Sequence, residues 1–280
     1  MSAEPVKTDK KLGLCLGGGG GLGFLHLGLF EALGELGLRP AVIAGTSSGA
    51  VMGAFYASGK SPAEIRKVLE KFRWTRIIAP VILHSRGISS TKRMQSFYRE
   101  HLGKGNIEDL PVRLKIASVN LIDGTLVGFE SGSLAKCLAA SSAVPGVFEP
   151  VKIGDGIYYD AGGICNLPLE LFAGEGVETI IAGNTIGKNG LMKKPRTVQE
   201  TFYQAYLIRC MHFSLAKLGP SGWIGKKDER VVHIDYPSHG ASPRRIGEVA
   251  GMIEDTRALS LEILGRELYG EGQKSAISRR

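Results

Sequence analysis

The sequence is poor in the features that announce a disulfide scaffold, a metal centre or a membrane span. Its 280 residues include four cysteines, Cys15, Cys137, Cys165 and Cys210. No two form a C-x-x-C pair, and Cys15 sits inside an apolar run, so neither a disulfide framework nor a zinc site is expected. Long apolar runs are scarce too. The two longest uncharged windows, Leu12–Phe30 and Pro40–Gly59, are broken by glycines and His26 in the first and by Gly45–Gly49 in the second. Each reads as a strand, a tight turn and a helix rather than the ~20 apolar residues that cross a bilayer. Residues Met1–Leu16 lack the apolar core of a signal peptide, so a cytoplasmic location is expected, with peripheral membrane contact left open. The formal charge is +8, but no Lys/Arg block interleaves with aromatics, which argues against a nucleic-acid partner. That charge is read first as solubility and second as an aid to anionic membrane surfaces.

Glycine is what the chain has in excess: 39 residues, about twice the usual share, with no repeat or low-complexity run. Glycines so placed belong to turns and close backbone contacts. Strand candidates are Leu12–Leu16, Ala41–Ala44, Leu114–Leu121, Thr125–Phe129, Gly156–Tyr159, Thr179–Gly183 and Val231–Tyr236. Several are apolar on both faces, as covered central strands must be. Helical patterns fall between them: Gly23–Leu36 ending at Gly37, Ala50–Ala57, a capping box at Ser61–Glu64 opening a helix to about Phe72, a second such box at Thr197–Glu200 before a helix to about Leu218, and a last helix from about Arg244 to Tyr269. This alternation predicts an α/β fold of three layers, α/β/α, around a mostly parallel sheet. One domain over residues 12–270 is the simplest division, with a flexible stretch before it and a basic, fraying tail over 271–280.

Residues 16–28 place five consecutive glycines, Gly17–Gly21, between a strand and a helix. Their N–H groups can converge on one space, and the helix N-terminus would add its positive end. Gly18, Gly20 and Gly23 also fit the dinucleotide fingerprint, but the next strand runs into Gly45-Thr46-Ser47-Ser48-Gly49 instead of ending in an acid for the ribose. Gly45-x-Ser47-x-Gly49 lies between an apolar strand and a small-residue helix, the setting of a nucleophile elbow. Ser48, off the elbow position, reads as a helix cap. Among the six histidines, His233 would complete the order Ser47, Asp160, His233 of an α/β-hydrolase triad. The elbow comes too early in the chain for that fold, and His233 reads better as a strand residue with a satisfied ring. Asp160, at a strand end and followed by small residues, can approach a serine closely.

In these residues the sequence resembles the patatin-like phospholipases. The resemblance runs through the loop Gly18–Gly23 with His26 and Gly28 behind it, the elbow Gly45–Gly49, the segment Ala140–Phe148, and Asp160 with Asn166 and Pro168 downstream. It covers residues 12–185, the motif core. It implies Ser47 as nucleophile, Asp160 as general base in a dyad without histidine, and an oxyanion hole from the N–H groups of Gly18, Gly19, Gly20 and Gly21. Gly23, Gly45, Gly49 and Gly162 would serve structure, and His26 would pack behind the loop. The implied reaction is hydrolysis of lipid carboxylic esters through an acyl-enzyme, with no cofactor. The chain departs from the family pattern at Leu22, where a basic residue is usual, and at Ala161, where a glycine is usual. The second is conservative if the backbone there avoids positive φ; the first puts the phosphate headgroup in question. Asp155-Gly156 is a rival Asp-Gly pair that reads as a hairpin turn.

Two other readings stay open: an esterase or thioesterase on soluble esters, and a nucleotide-binding protein using the glycine loop as a phosphate nest. A catalytically silent membrane-associated homologue is a third. The apolar stretches Ile77–Leu83 and Phe202–Leu218, with Trp223, are read as core before acyl-binding walls or lids.

Overall fold

The computed structural model describes residues 11–78, 89–187, 191, 194–217, 230–239 and 246–270. The expectations for the N-terminal ten residues, the tail over 271–280, residues 79–83 and Trp223 lie outside them. The chain opens with β1 (Leu12–Leu16), a 3₁₀ turn over Gly20–Leu25 and α1 (His26–Glu35). There follow β2 (Val42–Thr46), α2 (Ser48–Ala57), α3 (Pro62–Glu70), the single turn α4 (Trp74–Ile77), α5 (Lys92–Leu102), β3 (Arg113–Asn120) and β4 (Leu126–Phe129). Then come α6 (Leu134–Ser141), β5 (Val151–Ile153), β6 (Gly156–Asp160), the short α7 (Gly162–Cys165), β7 (Thr179–Asn184), α8 (Val198–Lys217), β8 (Arg230–Asp235) and α9 (Ala250–Tyr269).

Eight strands form one sheet in the order β5-β6-β3-β2-β1-β7-β8, with β4 also paired to β3. The run β3-β2-β1-β7-β8 is parallel, while β4, β5 and β6 join antiparallel. Residue alternation sends one set of side chains to each face. Leu14, Leu16, Ile43, Leu114, Ile116 and Ile181 pack with α1, α2, α3, α6 and α9 in the large core. Cys15, Val42, Ala44, Ile180 and Ala182 face the other way, onto Leu167, Leu169, Phe172 and Val177. That second layer is thin, made of α7, the 166–177 segment and α8 laid against α7. The α/β/α architecture expected from the sequence is therefore present.

Local signals held where a physical device sets them. Both capping boxes form: the Glu64 N–H donates to Ser61 Oγ and the Ser61 N–H to Glu64 Oε2, and Thr197 and Glu200 repeat the exchange. Gly37, at φ 67°, follows the end of α1 as expected, and Gly270, at φ 76°, follows the end of α9. Asp155 sits in the turn joining β5 to β6, so the rival Asp-Gly pair is a hairpin. Two expectations need correction. The helix predicted from Gly23 begins only at His26, because Gly20–Leu25 winds as a 3₁₀ turn started by the Leu22 N–H on the Gly19 carbonyl. The last helix starts at Ala250 after a 3₁₀ turn over Ile246–Val249.

Helices α1 and α9 touch backbone to backbone at Gly28, where a Cβ would stand 2.2 Å from the Ile253 carbonyl oxygen and 2.8 Å from the Arg257 nitrogen. Neither neighbour is a flexible side-chain end. Gly28→Ala is therefore expected to force the helices apart and cost about 1–3 kcal/mol, read as a lower urea midpoint at unchanged slope.

Candidate active site

The site lies at the carboxyl ends of β1, β2 and β7, where open α/β sheets bind ligands. Its geometry is set by β3. Ala117 of β3 pairs with Thr46 on one edge and Gly128 on the other; the next residue, Ser118, pairs with Asp160 and Val127. Since a strand residue has two edges, β2 and β6 must share the same edge of β3, meeting end to end. Thr46 and Asp160 thus fall at successive register positions, and Ser47 emerges beside the carboxylate.

Ser47 carries φ 55° and ψ −125°, one of two positive-φ residues other than glycine among those described. Such a conformation costs about 1–3 kcal/mol and persists only where the surroundings impose it. Here the Ser47 N–H donates to Ser141 Oγ at 2.8 Å, and the Thr46 hydroxyl donates to the Cys165 carbonyl at 2.9 Å. A Cβ on Gly49 would lie 2.2 Å from the Leu16 carbonyl oxygen, so the elbow's second glycine is demanded by close approach to β1. Ser48 is not the expected cap. Ser47 occupies the N-cap, and Ser48 Oγ is buried without a hydrogen bond, against Gly23.

Asp160 is 1% exposed. Its Oδ1 accepts from the Gly162 N–H at 2.8 Å and from the Tyr206 hydroxyl at 2.9 Å, while Oδ2 is buried and holds no formed hydrogen bond. Burial raises its pKa to about 6, against the Ser47 hydroxyl and the two Oδ1 donors, which favour the ionised form. Ser47 thus acts on the carboxylate without completing a bond to Oδ2, a looseness common in unliganded sites. Ala161 has φ −76°, so the departure from glycine there carries no backbone strain.

The glycine loop needs one revision. The Gly18 N–H is already committed to Asn166 Oδ1 at 3.1 Å, and the Thr185 hydroxyl donates to the Gly18 carbonyl. Among the described residues, Gly19, Gly20 and Gly21 keep N–H groups without an acceptor, and all three border the cavity above Ser47. Leu22, 2% exposed, belongs to the large core. His26 packs behind the loop as expected. Burial lowers its pKa to about 4, so the neutral ring donates from Nε2 to the Gly17 carbonyl at 2.8 Å and accepts the Tyr236 hydroxyl on Nδ1 at 2.9 Å. His233 lies on β8, three strands from β2 and hence about 14 Å away. Its Nε2 faces Asp235 Oδ1 at 3.2 Å without forming a proper hydrogen bond, so the ring is paired but not satisfied.

A cavity of about 580 Å³ opens over Ser47. No Lys, Arg, Asp or Glu lines it among the described residues; its walls include Phe55, Phe72, Trp74, Ile77, Phe97 and Leu207. Ile77, Leu207 and Cys210 are buried core residues as read, but they also border this space, together with Ile78, Tyr203 and Tyr206. Sequence reasoning also missed Ser141 and Tyr206. Ser141 fell in the noted Ala140–Phe148 segment, but nothing in a sequence marks the hydroxyl that will meet the Ser47 amide. The described residues hold no cluster of metal-ligating side chains, and none of their helices is long and apolar enough to cross a membrane.

Residues 14–173 match the patatin-like phospholipase family model. The chain belongs to this family. It is 33% identical over 177 residues to an uncharacterised NTE family protein of Mycobacterium tuberculosis, covering 62% of this chain and 49% of that one. It is 28% identical over 186 residues to lysophospholipase NTE1 of Saccharomyces cerevisiae, covering 63% of this chain and 11% of that one. The chain thus spans about half or less of the relatives it matches. In fold it is similar to VipD of Legionella pneumophila, with a TM-score of 0.54 at 17% identity over 91% of this chain and 66% of that one. ExoU in its complex with SpcU from Pseudomonas aeruginosa gives 0.50 at 17% identity, covering 93% of this chain and 52% of that one. These likenesses agree with the patatin-like α/β/α architecture.

Ser141→Ala would leave the buried Ser47 amide without its acceptor. The expected loss is about 1–3 kcal/mol of unfolding free energy, measured by urea denaturation.

Proposed function

We propose that this chain is a serine lipid acyl hydrolase of the phospholipase A or lysophospholipase kind, with Ser47 as nucleophile and Asp160 as its general base. One observation carries the reading: a strained serine emerges beside a buried carboxylate with a free oxygen, beneath an apolar cavity. Ser47 Oγ attacks the ester carbonyl and its proton passes to Asp160. The N–H groups of Gly19, Gly20 and Gly21 receive the developing oxyanion, each such donor contributing about 3 kcal/mol. Collapse expels the alcohol and leaves an acyl-enzyme, which water activated by Asp160 then hydrolyses. The cavity takes the acyl chain, its volume lying in the usual range of ligand sites.

The phosphate-nest reading loses ground on three counts. The Gly18 amide is spent, the next α-helix starts only at His26, and the space above the loop is walled by apolar side chains. With no cation in that wall among the described residues, a phosphate headgroup would remain outside while the acyl chain enters. A soluble-ester hydrolase stays as the second reading, favoured by the same intact pair.

Peripheral membrane contact belongs to this proposal. The outer face of α8 exposes Val198 (68%), Phe202 (75%) and Phe213 (42%), with Arg209 between them. Glu200, the single acid from Val198 to Phe213, is turned back onto the Arg196 and Thr197 amides. Aromatic and cationic groups sharing a face suit an anionic lipid surface.

Acyl release from lysophospholipid micelles and from a short p-nitrophenyl ester decides between the readings. Ser47→Ala and Asp160→Asn are expected to lower kcat/KM on both by at least about 10³, and His233→Ala to leave it within about twofold. Turnover of the short ester alone would favour the soluble esterase; activity surviving in Ser47→Ala would refute the dyad. Because the base works ionised and its pKa is raised to about 6, kcat/KM should fall tenfold per pH unit below that value and be flat above it. Phe202→Ser should slow hydrolysis of anionic vesicles several-fold and spare the short ester; equal rates on vesicles would remove α8 from the membrane.

A further inference from the structure

The segment matching the family model ends at residue 173, yet Asp160 takes one of its two donors from α8, 46 residues further along the chain. We propose that Tyr206 is a positioning residue: together with the Gly162 N–H it occupies Oδ1 of Asp160, and so assigns Oδ2 as the atom that receives the Ser47 proton. This rests on the dyad reading and deepens it.

The two oxygens of Asp160 are not equivalent. Oδ1 has two donors at 2.8 and 2.9 Å, whereas Oδ2 has none. A proton arriving at Oδ1 would have to displace an existing donor; at Oδ2 it displaces nothing. In the acylation step the Ser47 O–H bond breaks and the Oγ–carbonyl bond forms. The proton goes to Oδ2 and the carbonyl π pair to the oxygen facing the glycine loop. On collapse the same proton leaves Oδ2 for the departing alkoxide. Oδ1 keeps both donors throughout, so the carboxylate neither rotates nor changes partners between the two transfers. Tyr206 itself does not exchange protons, because desolvation and the neighbouring Asp160 hold its phenol protonated well beyond the ordinary range.

Space for this hydroxyl is reserved in the backbone. A Cβ on Gly162 would stand 2.4 Å from the Tyr206 hydroxyl oxygen and 3.2 Å from Asp160 Oδ1. Gly162 opens α7 and is absent from the positive-φ residues, so what it supplies is room rather than conformational freedom. The Tyr203 ring stacks beside Tyr206, with centroids 6.4 Å apart and planes at 19°. The other titratable groups facing Asp160 are Tyr98 of α5 and Tyr203 and Cys210 of α8, all held protonated by burial. No cation acts on Asp160 among the described residues, which leaves hydrogen bonds as the means of holding its charge.

The test uses Tyr206→Phe, which keeps the ring and removes the donor, and Gly162→Ala, which pushes the donor away from the other side. Each is expected to move the acid limb of kcat/KM upward by about half a pH unit or more. The loss at neutral pH should fall on kcat with KM little changed. The double variant should shift no further than the larger single one, because both remove the same bond. The ¹³C carboxyl titration of Asp160, followed by NMR without substrate, should move in the same direction. A limb and a titration that stay at their wild-type positions in Tyr206→Phe would reduce Tyr206 to packing and overturn the inference. If the wild type cleaves no ester, the dyad reading fails on its own, while an unmoved carboxyl titration would still refute the hold of Tyr206 on Asp160.

Discussion

Strand β3 has one edge on which two strands end against each other. β2 runs parallel to it and stops at Thr46; β6 runs the opposite way and stops at Asp160, one register step beyond. Backbone hydrogen bonds along β3 fix both termini, so the separation of the elbow from the carboxylate is a property of the sheet, not of loops. Everything else near the site is arranged around that junction. The glycine loop enters from β1, the strand beside β2, and Asn166 ties its Gly18 amide to the segment that follows Asp160. A slip of one residue in either pairing would turn its strand's side chains over to the opposite face and separate the two functional groups.

Two groups at this junction are held in unfavourable states. Ser47 adopts a backbone conformation that L-residues avoid. Asp160 has its pKa raised from 3.8 to about 6, so keeping it ionised above that pH costs about 3 kcal/mol of fold stability. The sign follows from the raised value: the unfolded chain releases this proton more readily, so the folded state loses stability as pH rises from about 4 through 6. The bond from the Ser47 amide to Ser141 Oγ offsets part of the first cost, and the donors from Gly162 and Tyr206 to Oδ1 keep the second from being larger. The expense is local and falls on the two residues of the proposed dyad, which requires a lifted hydroxyl and a carboxylate basic enough to take its proton.

Much of this was legible in the sequence because its signals are local. The strand candidates were right to within two residues at each end, apart from the three-residue β5, since buried runs flanked by glycine leave few alternatives. The elbow was readable because Gly45 and Gly49 record steric limits. What escaped depends on distant chain segments. Helices α5 and α6 were missed. The three-strand separation of His233 from β2 is set by sheet order, which no spacing along the chain encodes. The spent Gly18 amide, the acceptor from Ser141 and the donor from Tyr206 all arise where segments roughly 50–150 residues apart are brought together.

Helix α8 shows why the C-terminal third looked uninformative. Its inner side must present Tyr206 to a carboxylate and Leu207 to an apolar cavity, while its outer side exposes Phe202 and Phe213. A helix apolar on both sides has no clean 3.6-residue stripe, so its pattern resembles that of any buried segment. The two faces are nonetheless coupled through one rigid element. A force on the outer face that shifted α8 by even 1 Å would stretch the 2.9 Å bond from Tyr206 to Asp160 beyond hydrogen-bond range. Asp160, the proposed base, would then lose one of the donors that favour its charged form. The helix that walls the cavity over Ser47 therefore also sets how readily the proposed base is charged.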